Sequence, residues 1–582
     1  MNAERLLQHF DRISEAPAAV ARLRRFILDL AVRGKLVAQD PADEPAAELL
    51  KRIQAEKNQL TQRCKGAKKG EGEENLGDLE SLEKMPFALP GNWTWSKLAA
   101  ITTKTGSGST PRGGQTAYQA SGIPFLRSQN VHDDGLRLTN VAYIDDITHT
   151  RMNGTAVESG DLLLNITGGS IGRCCRIPDI TTQANISQHV AIIRLAVAGM
   201  RDFVHKVVIS PFFQSFIIDE QTGAGRGGLP KNRMDQIPIP LPPLAEQHRI
   251  VAKVDELMAL CDQLQTARNE REAKRDRLVA ASLHRLGTAG PESFPAAARF
   301  HLGHLPRLTT RPEHIKHLRQ TILNLAVRGH LVPQDPNDEP AAELLKRIQA
   351  GKARLMKEGL IPRSKASAAG KKLTFELPTN WRPIRLDDVS NLVTSGSRGW
   401  ADYYADDGPK FVRAQNIRFG YLRLNNLACV QPQANSECKR PQVSAGDLLL
   451  VITGAGVTNP ALMDRDLGEA YVSQHVALIK PTITALSQWL LLCLMSGPGG
   501  RDELVECAYG AGKPGLNLDN IRTLSAPLPP LAEQHRIVAK VDELMAICDQ
   551  LETQLTTTDS DNRGLLEAVL SDALAPALKD VA

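Results

Sequence analysis

The 582-residue chain is poor in aromatic residues, at 4%, and its nine cysteines are an odd number. No two cysteines stand in a C-x-x-C spacing. Cys174 and Cys175 are adjacent but lack a nearby ligand set, so a zinc site is not expected. Reduced thiols fit this usage best. No apolar run reaches the roughly 20 residues that a membrane-spanning helix needs. The first residues, MNAERLLQHFDRISEA, are charged and amphipathic, unlike a signal peptide. These absences predict a soluble, cytoplasmic chain with no membrane partner. Neither sign of charge dominates, with 70 Lys and Arg against 65 Asp and Glu, a net charge of +5. That balance permits a nucleic-acid partner without demanding one. No G-x-x-x-x-G-K-[ST] phosphate loop occurs, and Gly510-Ala511-Gly512-Lys513-Pro514 fails its spacing. The N/D-P-P-Y/F run of adenine methyltransferases is missing too. GAGRGG (223–228) does not follow a strand as a nucleotide-binding turn does. No catalytic residue, metal ligand or cofactor is therefore assigned to the chain.

What is present is a duplication. PLPPLAEQHRIVAKVDELMALCDQL (240–264) returns as PLPPLAEQHRIVAKVDELMAICDQL (527–551), with Leu260 against Ile547 as the one difference. Each copy reads as the start of a long helix. Pro242 and Pro243 suit a first turn with spare N–H groups, and Glu246 sits at its positive end. Ile250, Val254, Leu257, Cys261 and Leu264 recur at helical spacing. His284, Arg285, Gly287 and Pro291 are stop signals. A helix over 243–286 would be about 65 Å long. So narrow a stripe suits a helix–helix seam; the plainer alternative is a core helix of an ordinary domain. His248 and His535, in the helix starts, lack a triad partner at a telling spacing. They read as docking or capping residues.

A second pair of repeats precedes these. LRRFILDLAVRGKLVAQDPADEPAAELLKRIQAEK (23–57) and LRQTILNLAVRGHLVPQDPNDEPAAELLKRIQAGK (318–352) match at 28 of 35 positions. Gly34 and Gly329 read as C-caps, and Asp-Glu-Pro starts the next helix in each copy. Each unit is a helical hairpin, its turn too long for a DNA-reading helix-turn-helix. Polar linkers follow at 64–78 and 363–372. Trp93 in ALPGNWTWSKL and Trp381 in ELPTNWRPIRL then open globular segments. GDLLLNITGGSIG (160–172), GDLLLVITGAGVT (446–458), SQHVAIIR (187–194) and SQHVALIK (473–480) read as strands. Segments near 201–220 and 485–508 read as helices. The predicted boundaries are a helical region at 1–87, a globular domain at 88–239 and a long helix at 240–290. The same order repeats at 291–375, 376–526 and 527–582.

The helical pieces are nearly identical between halves, whereas the globular pieces keep only a skeleton. Residues 100–122 and 390–408 differ strongly, as do 132–158 and 418–444. Identical surfaces suit two copies of one partner; unlike surfaces on one skeleton suit two targets. Unequal drift after a recent duplication is the plainer account, but it does not explain why divergence gathers in the globular parts.

The doubled PLPPLAEQHRIVAKVDEL, the LAVRG…LVxQDPxDEPAxELL hairpins, LPxNW, and PFLRSQN (124–130) with KFVRAQN (410–416) together resemble the specificity subunit of a type I restriction–modification system. The resemblance covers nearly the whole chain. It implies an α+β chain with two mixed α/β target-recognition domains. Two long antiparallel helices, a coiled-coil spacer, would separate them under pseudo-two-fold symmetry. It implies no enzyme activity in the chain itself, which would read a bipartite asymmetric site on double-stranded DNA. Two methyltransferase subunits would dock on it, and motor-nuclease subunits would join to make the restriction enzyme. S-adenosylmethionine, ATP and Mg would then belong to the partner subunits. The alternatives are a protein–protein adaptor without DNA recognition and, disfavoured by the missing motifs, an enzyme.

Residues 100–239 hold 13 Lys and Arg against 11 Asp and Glu, so DNA contact would depend on placement rather than on net charge. Candidate DNA contacts are Ser107, Ser109, Thr110, Arg112, Arg127, Gln129, Asn130 and Arg226 in the first domain. In the second they are Ser395, Ser397, Arg398, Arg413, Gln415, Asn416 and Lys513. Arg suits guanine, and Gln or Asn suits adenine, through paired hydrogen bonds. Arg127 and Arg413 recur in both halves and so suit structure or phosphate positioning. Arg112 and Arg398 lie in unlike loops and suit sequence choice. Tyr118, Tyr403 and Tyr404 could stack near distorted bases or pack internally. Arg226 and Lys513 are glycine-flanked cations before each long helix, or plain connections. Partner docking is expected on Glu246, Gln247, His248 and Arg249, and on Glu533, Gln534, His535 and Arg536.

Overall fold

The computed structural model describes residues 10–65, 87–178, 183–220, 227–290, 292–362, 370–397, 403–431, 442–509 and 514–574. The chain divides into two compact units: Met1–Glu270 with Asp559–Ala582, and Arg271–Thr558.

In the first unit, helix α1 (Ala19–Val32) is closed by Gly34 at φ +65°. The Lys35 N–H donates to the Leu30 carbonyl at 2.9 Å, the outer bond of a Schellman cap. Helix α2 (Ala46–Lys65) follows, and its first N–H donates to the carbonyl of Asn92 at 3.0 Å. Strand β1 (Thr94–Lys97) starts the globular part and pairs antiparallel with β10 (Pro238–Leu241), which ends it. The two ends of the domain are thus tied together.

Between them lie two sheets. The first is all antiparallel, in the order β2 (Thr102–Ser107), β9 (Val190–Leu195), β6 (Leu162–Asn165), β7 (Cys174–Arg176). The second orders β4 (Ala142–Ile144), β3 (Ile123–Leu126), β8 (Ala184–Ile186) and β5 (Ala156–Val157), with β3 and β8 parallel. Strand β6 is buried on both faces. Leu162 and Leu164 join the core under α3 (Arg201–Val208) and α4 (Pro211–Asp219), and Leu163 joins the core against the second sheet. Two covered faces explain why GDLLLNI is a continuous apolar run rather than an alternating one. Asp161, at its head, is buried and accepts two bonds from Arg194, each 2.8 Å.

Helix α5 (Leu244–Thr288) then leaves the domain. Ile250, Val254 and Cys261 sit in the first unit's core, so the apolar stripe serves that core over its first half.

The second unit repeats the plan. Helices α6 (Pro312–Val327) and α7 (Ala341–Lys357) make the hairpin, with a Schellman cap at Gly329. Strands β11 (Arg382–Arg385) and β19 (Ser525–Leu528) pair to close the domain. The first sheet runs β12 (Ser390–Ser395), β18 (Val476–Pro481), β15 (Leu448–Val451), β16 (Pro460–Leu462). The second has three strands, β14 (Ala428–Val430), β13 (Tyr404–Val412) and β17 (Ala470–Val472). An isolated bridge, Gln442 to Tyr471, stands where β5 stands in the first unit. Helix α8 (Ser487–Met495) covers this core, and α9 (Leu531–Leu574) leaves it.

Each unit also holds the far end of a long helix. In the first, Leu566 and Leu570 of α9 pack among Ile13, Ala16, Ala19, Phe26 and Leu30. In the second, Val279 and Leu283 of α5 meet Leu308 and Leu318. Among the described residues no helix is long and apolar enough to cross a membrane.

Candidate nucleic-acid interface

The repeated motifs meet at one node in each unit. In the first, a Cβ on Gly34 would stand 2.5 Å from Pro90 and 3.1 Å from Trp93. The Trp93 indole donates to Glu246 at 3.0 Å, Gln39 donates to the same carboxylate at 2.7 Å, and Arg249 bridges to Asp43 at 2.5 Å. The second unit reproduces this with Gly329, Pro378, Trp381, Glu533, Gln334, Arg536 and Asp338. LAVRG, QDPxDEP, LPxNW and AEQHR are therefore four parts of one clasp. Burial pushes the carboxyl groups of Glu246 and Glu533 above their ordinary range, against the hydrogen bonds from tryptophan and glutamine that favour the ion.

This geometry corrects the expected docking face. Glu246, Gln247, Glu533 and Gln534 are buried, and Gln247 and Gln534 donate to Pro242 and Pro529 at 2.9 Å. Their contacts are internal. His248 and His535 remain exposed, and Arg249 and Arg536 half-exposed.

Among the expected DNA contacts, Ser107, Ser109, Thr110, Arg112 and Gln129 are exposed, as is Gln415, while Ser395 and Ser397 are half-exposed. Asn130 and Asn416 are not base readers in this fold. Both are buried and accept from the N–H of Arg127 and Arg413 at 3.0 Å. They donate to Arg137 and Arg423 carbonyls at 2.8 and 3.2 Å, which shapes the loop. Arg127 lies 5.6 Å over Tyr118, and Arg413 lies 5.9 Å over Tyr404. These rings thus serve first as platforms for the two arginines. Arg226, Arg398 and Lys513 lie outside the described residues.

Strand register aligns the unlike loops. Ser107 opposes Ala191, and Ser395 opposes Ala477. Ser107-Gly108-Ser109 is therefore the counterpart of Ser395-Gly396-Ser397, and divergence begins at Thr110 against Arg398. Gly108 donates to the Val190 carbonyl at 2.9 Å, which brings this segment against the Ser187-Gln188-His189 turn. That turn was read as strand; the strand begins at Val190. Thr110 donates to Gln188 at 2.9 Å, and the Thr167 hydroxyl bonds His189 Nδ1 at 2.6 Å. In the second unit Thr453 and His475 make the same contact at 2.5 Å. Exposed polar residues kept identical in both halves were the signal that could have found this cluster.

The sequence profile of the type I restriction modification DNA specificity domain matches the chain twice, over residues 90–272 and 378–558. The chain belongs to that specificity-subunit family. Each match joins a globular domain to the first part of its long helix. The type I restriction enzyme EcoAI specificity subunit of Escherichia coli is 30% identical over 571 residues, 95% of this chain and 94% of that protein. The EcoEI specificity subunit of the same species is 30% identical over 590 residues, with the same coverage. Among solved structures, the HsdS subunit from Thermoanaerobacter tengcongensis aligns with a TM-score of 0.43 at 19% identity. It covers 85% of this chain and 99% of that one. As a specificity subunit the chain has a non-catalytic role, and its interface is a surface for recognition.

Proposed function

We propose that the two globular domains each read one half of a bipartite, asymmetric duplex site, and that the repeated helical frame docks two copies of one methyltransferase subunit. The observation that carries this reading is the contrast between clasp and loop. The clasp is the same in both units down to its hydrogen bonds, whereas the sequences from Thr110 and Arg398 onward differ just after strands that end in equivalent register. Arg112, Gln129, Arg398 and Gln415 are the candidate base readers; Arg127 and Arg413 position the loops that carry Gln129 and Gln415. Arg226 and Lys513 remain candidate phosphate contacts.

The docking face is the exposed part of the two helix starts, 244–258 and 531–545. It includes His248, Arg249, His535 and Arg536. Leu260 and Ile547, the one difference between the repeats, are both exposed apolar residues just beyond it. The long helices act as an antiparallel spacer that fixes the half-site separation. S-adenosylmethionine belongs to the methyltransferase partners; ATP and Mg belong to motor-nuclease subunits, which can join the complex. The site of action is the cytoplasm.

Selection from a random duplex pool by the intact complex tests the reading. Two short motifs at a fixed separation are expected; no enrichment would favour an adaptor without DNA recognition. Native mass at saturation should give two methyltransferase subunits per chain, and one would count against the docking scheme. Methyl transfer by the purified chain alone would contradict its non-catalytic role.

A further inference from the structure

One polar surface is the same in both domains although its surroundings are not. It joins Ser187-Gln188-His189 to Thr167, and Ser473-Gln474-His475 to Thr453. We propose that each cluster holds one phosphate of the DNA backbone, at the same place in either half-site and whatever bases are read beside it. The inference rests on the DNA-reading function proposed above.

Three observations carry it. Gln188, His189, Gln474 and His475 are exposed, so packing alone does not require their identity in the two halves. They also border the segments that diverge: Gly108 and Gly396 donate to the carbonyls of Val190 and Val476 at 2.9 and 3.3 Å. A Cβ at either glycine would stand 2.1 or 2.0 Å from the carbonyl oxygen of Ile186 or Val472. The backbone is therefore pressed against the turn in the same way twice.

The second observation is a surplus of donors. Ser187 and Ser473 are 5% and 7% exposed, and their hydroxyls have no hydrogen-bond partner among the described residues. The Nε atoms of Arg127 and Arg413 are equally without a partner. They belong to the loops whose preceding residues, Leu126 and Val412, accept from the Ser187 and Ser473 N–H groups at 2.9 and 3.0 Å.

The third is a glutamine amide set against the histidine ring nitrogen. Gln188 Nε2 lies 3.4 Å from His189 Nε2, and Gln474 Nε2 lies 3.2 Å from His475 Nε2. With the ring proton on Nδ1 and donated to the threonine hydroxyl, Nε2 accepts one glutamine N–H and the amide keeps its second; with the proton on Nε2, ring and amide both keep donors. Thr110, donating to Gln188 Oε1, turns that amide's Nε2 toward the ring. In either tautomer at least one N–H of each cluster is left to donate to an oxygen from outside. A base edge offers a mixture of donors and acceptors that changes with sequence. A phosphate only accepts and is common to every sequence, so a free donor kept in two unlike readers fits the backbone.

The test uses the assembled complex and the duplex selected by it from a random pool. His189→Ala and His475→Ala should each weaken binding about tenfold, the loss of one hydrogen bond to a charged group. The loss should be equal for the selected duplex and for duplexes with single base changes, with the methylated motif unaltered. Gln188→Ala and Gln474→Ala should act in the same direction. Replacing backbone phosphates one at a time by neutral methylphosphonate should reveal one position per half-site that weakens the wild type and not the histidine variant. A changed base preference at that half-site would overturn the proposal in favour of base reading. Unchanged DNA affinity with a lost methyltransferase would overturn it in favour of a protein contact. Failure of the wild-type complex to select any motif would instead refute the DNA-reading function itself.

Discussion

Trp93 donates its indole N–H to Glu246 across 3.0 Å, joining a residue that opens the globular domain to one that starts the long helix leaving it. Trp381 and Glu533 repeat the bond at 2.9 Å. The bond holds a buried carboxylate in place, and four expectations follow from this frame.

Stability should depend on the protonation of Glu246 and Glu533. Burial raises both folded pKa values above the ordinary 4.5. The native state then holds these protons more tightly than the unfolded chain. Their contribution is full below about pH 4.5 and is lost as pH rises through the folded values. Glu246→Gln with Glu533→Gln should flatten this fall. Urea unfolding at a series of pH values checks it; an unchanged slope would contradict it.

Gly34→Ala should destabilise the first unit by about 1–3 kcal/mol, from strain at positive φ and a clash with Pro90. Gly329→Ala should do the same to the second. The fluorescence of the adjacent Trp93 or Trp381 reports the effect, and a variant as stable as wild type would show that the close approach relaxes freely.

Leu566→Ala should cost about 2–5 kcal/mol, as for other buried leucines, and the loss should be felt near the other end of the sequence. Hydrogen exchange should quicken over Ala19–Val32, where Phe26 and Leu30 contact it. Equal protection in variant and wild type would sink this expectation.

Four residues inserted after Asn269 lengthen the helix by roughly 6 Å. At about 3.4 Å per base pair, the preferred gap between half-sites should grow by one to two base pairs. Asn269 to Lys274 are mostly exposed, so the insertion spares the cores on either side. Methylation mapping in cells reads the result. An unchanged gap in an active complex would show that the helices are not the ruler.

Much of this was legible in the sequence. The proline-led helix starts and basic ends located α5 within two residues at either limit, 243–286 against Leu244–Thr288. The uninterrupted apolar run Leu162–Leu164 marked a buried strand, and Gly34 marked a helix end. The duplication was less informative about role. It preserves a shared interior and a shared surface alike, so Glu246 and Gln247 looked outward-facing when they are clasp residues. Asn130 had the chemistry of a base reader, but its burial depends on a carbonyl seven residues away, at Arg137. The meeting of Leu566 with Phe26 leaves no local trace, because it joins distant helices through apolar residues that would suit many partners.

The placement of Leu566 and Leu570 in the first unit has a consequence for synthesis. That unit lacks a buried wall until Leu566 and Leu570 have left the ribosome. The intervening Arg271–Thr558 is roughly 290 residues, which takes about 15 to 60 seconds at about 5 to 20 residues per second. Throughout that interval Phe26, Leu30 and Ile13 lack their native cover. A chain released at its midpoint would keep a sticky helical face, so the completeness of the message bears directly on the solubility of its first half.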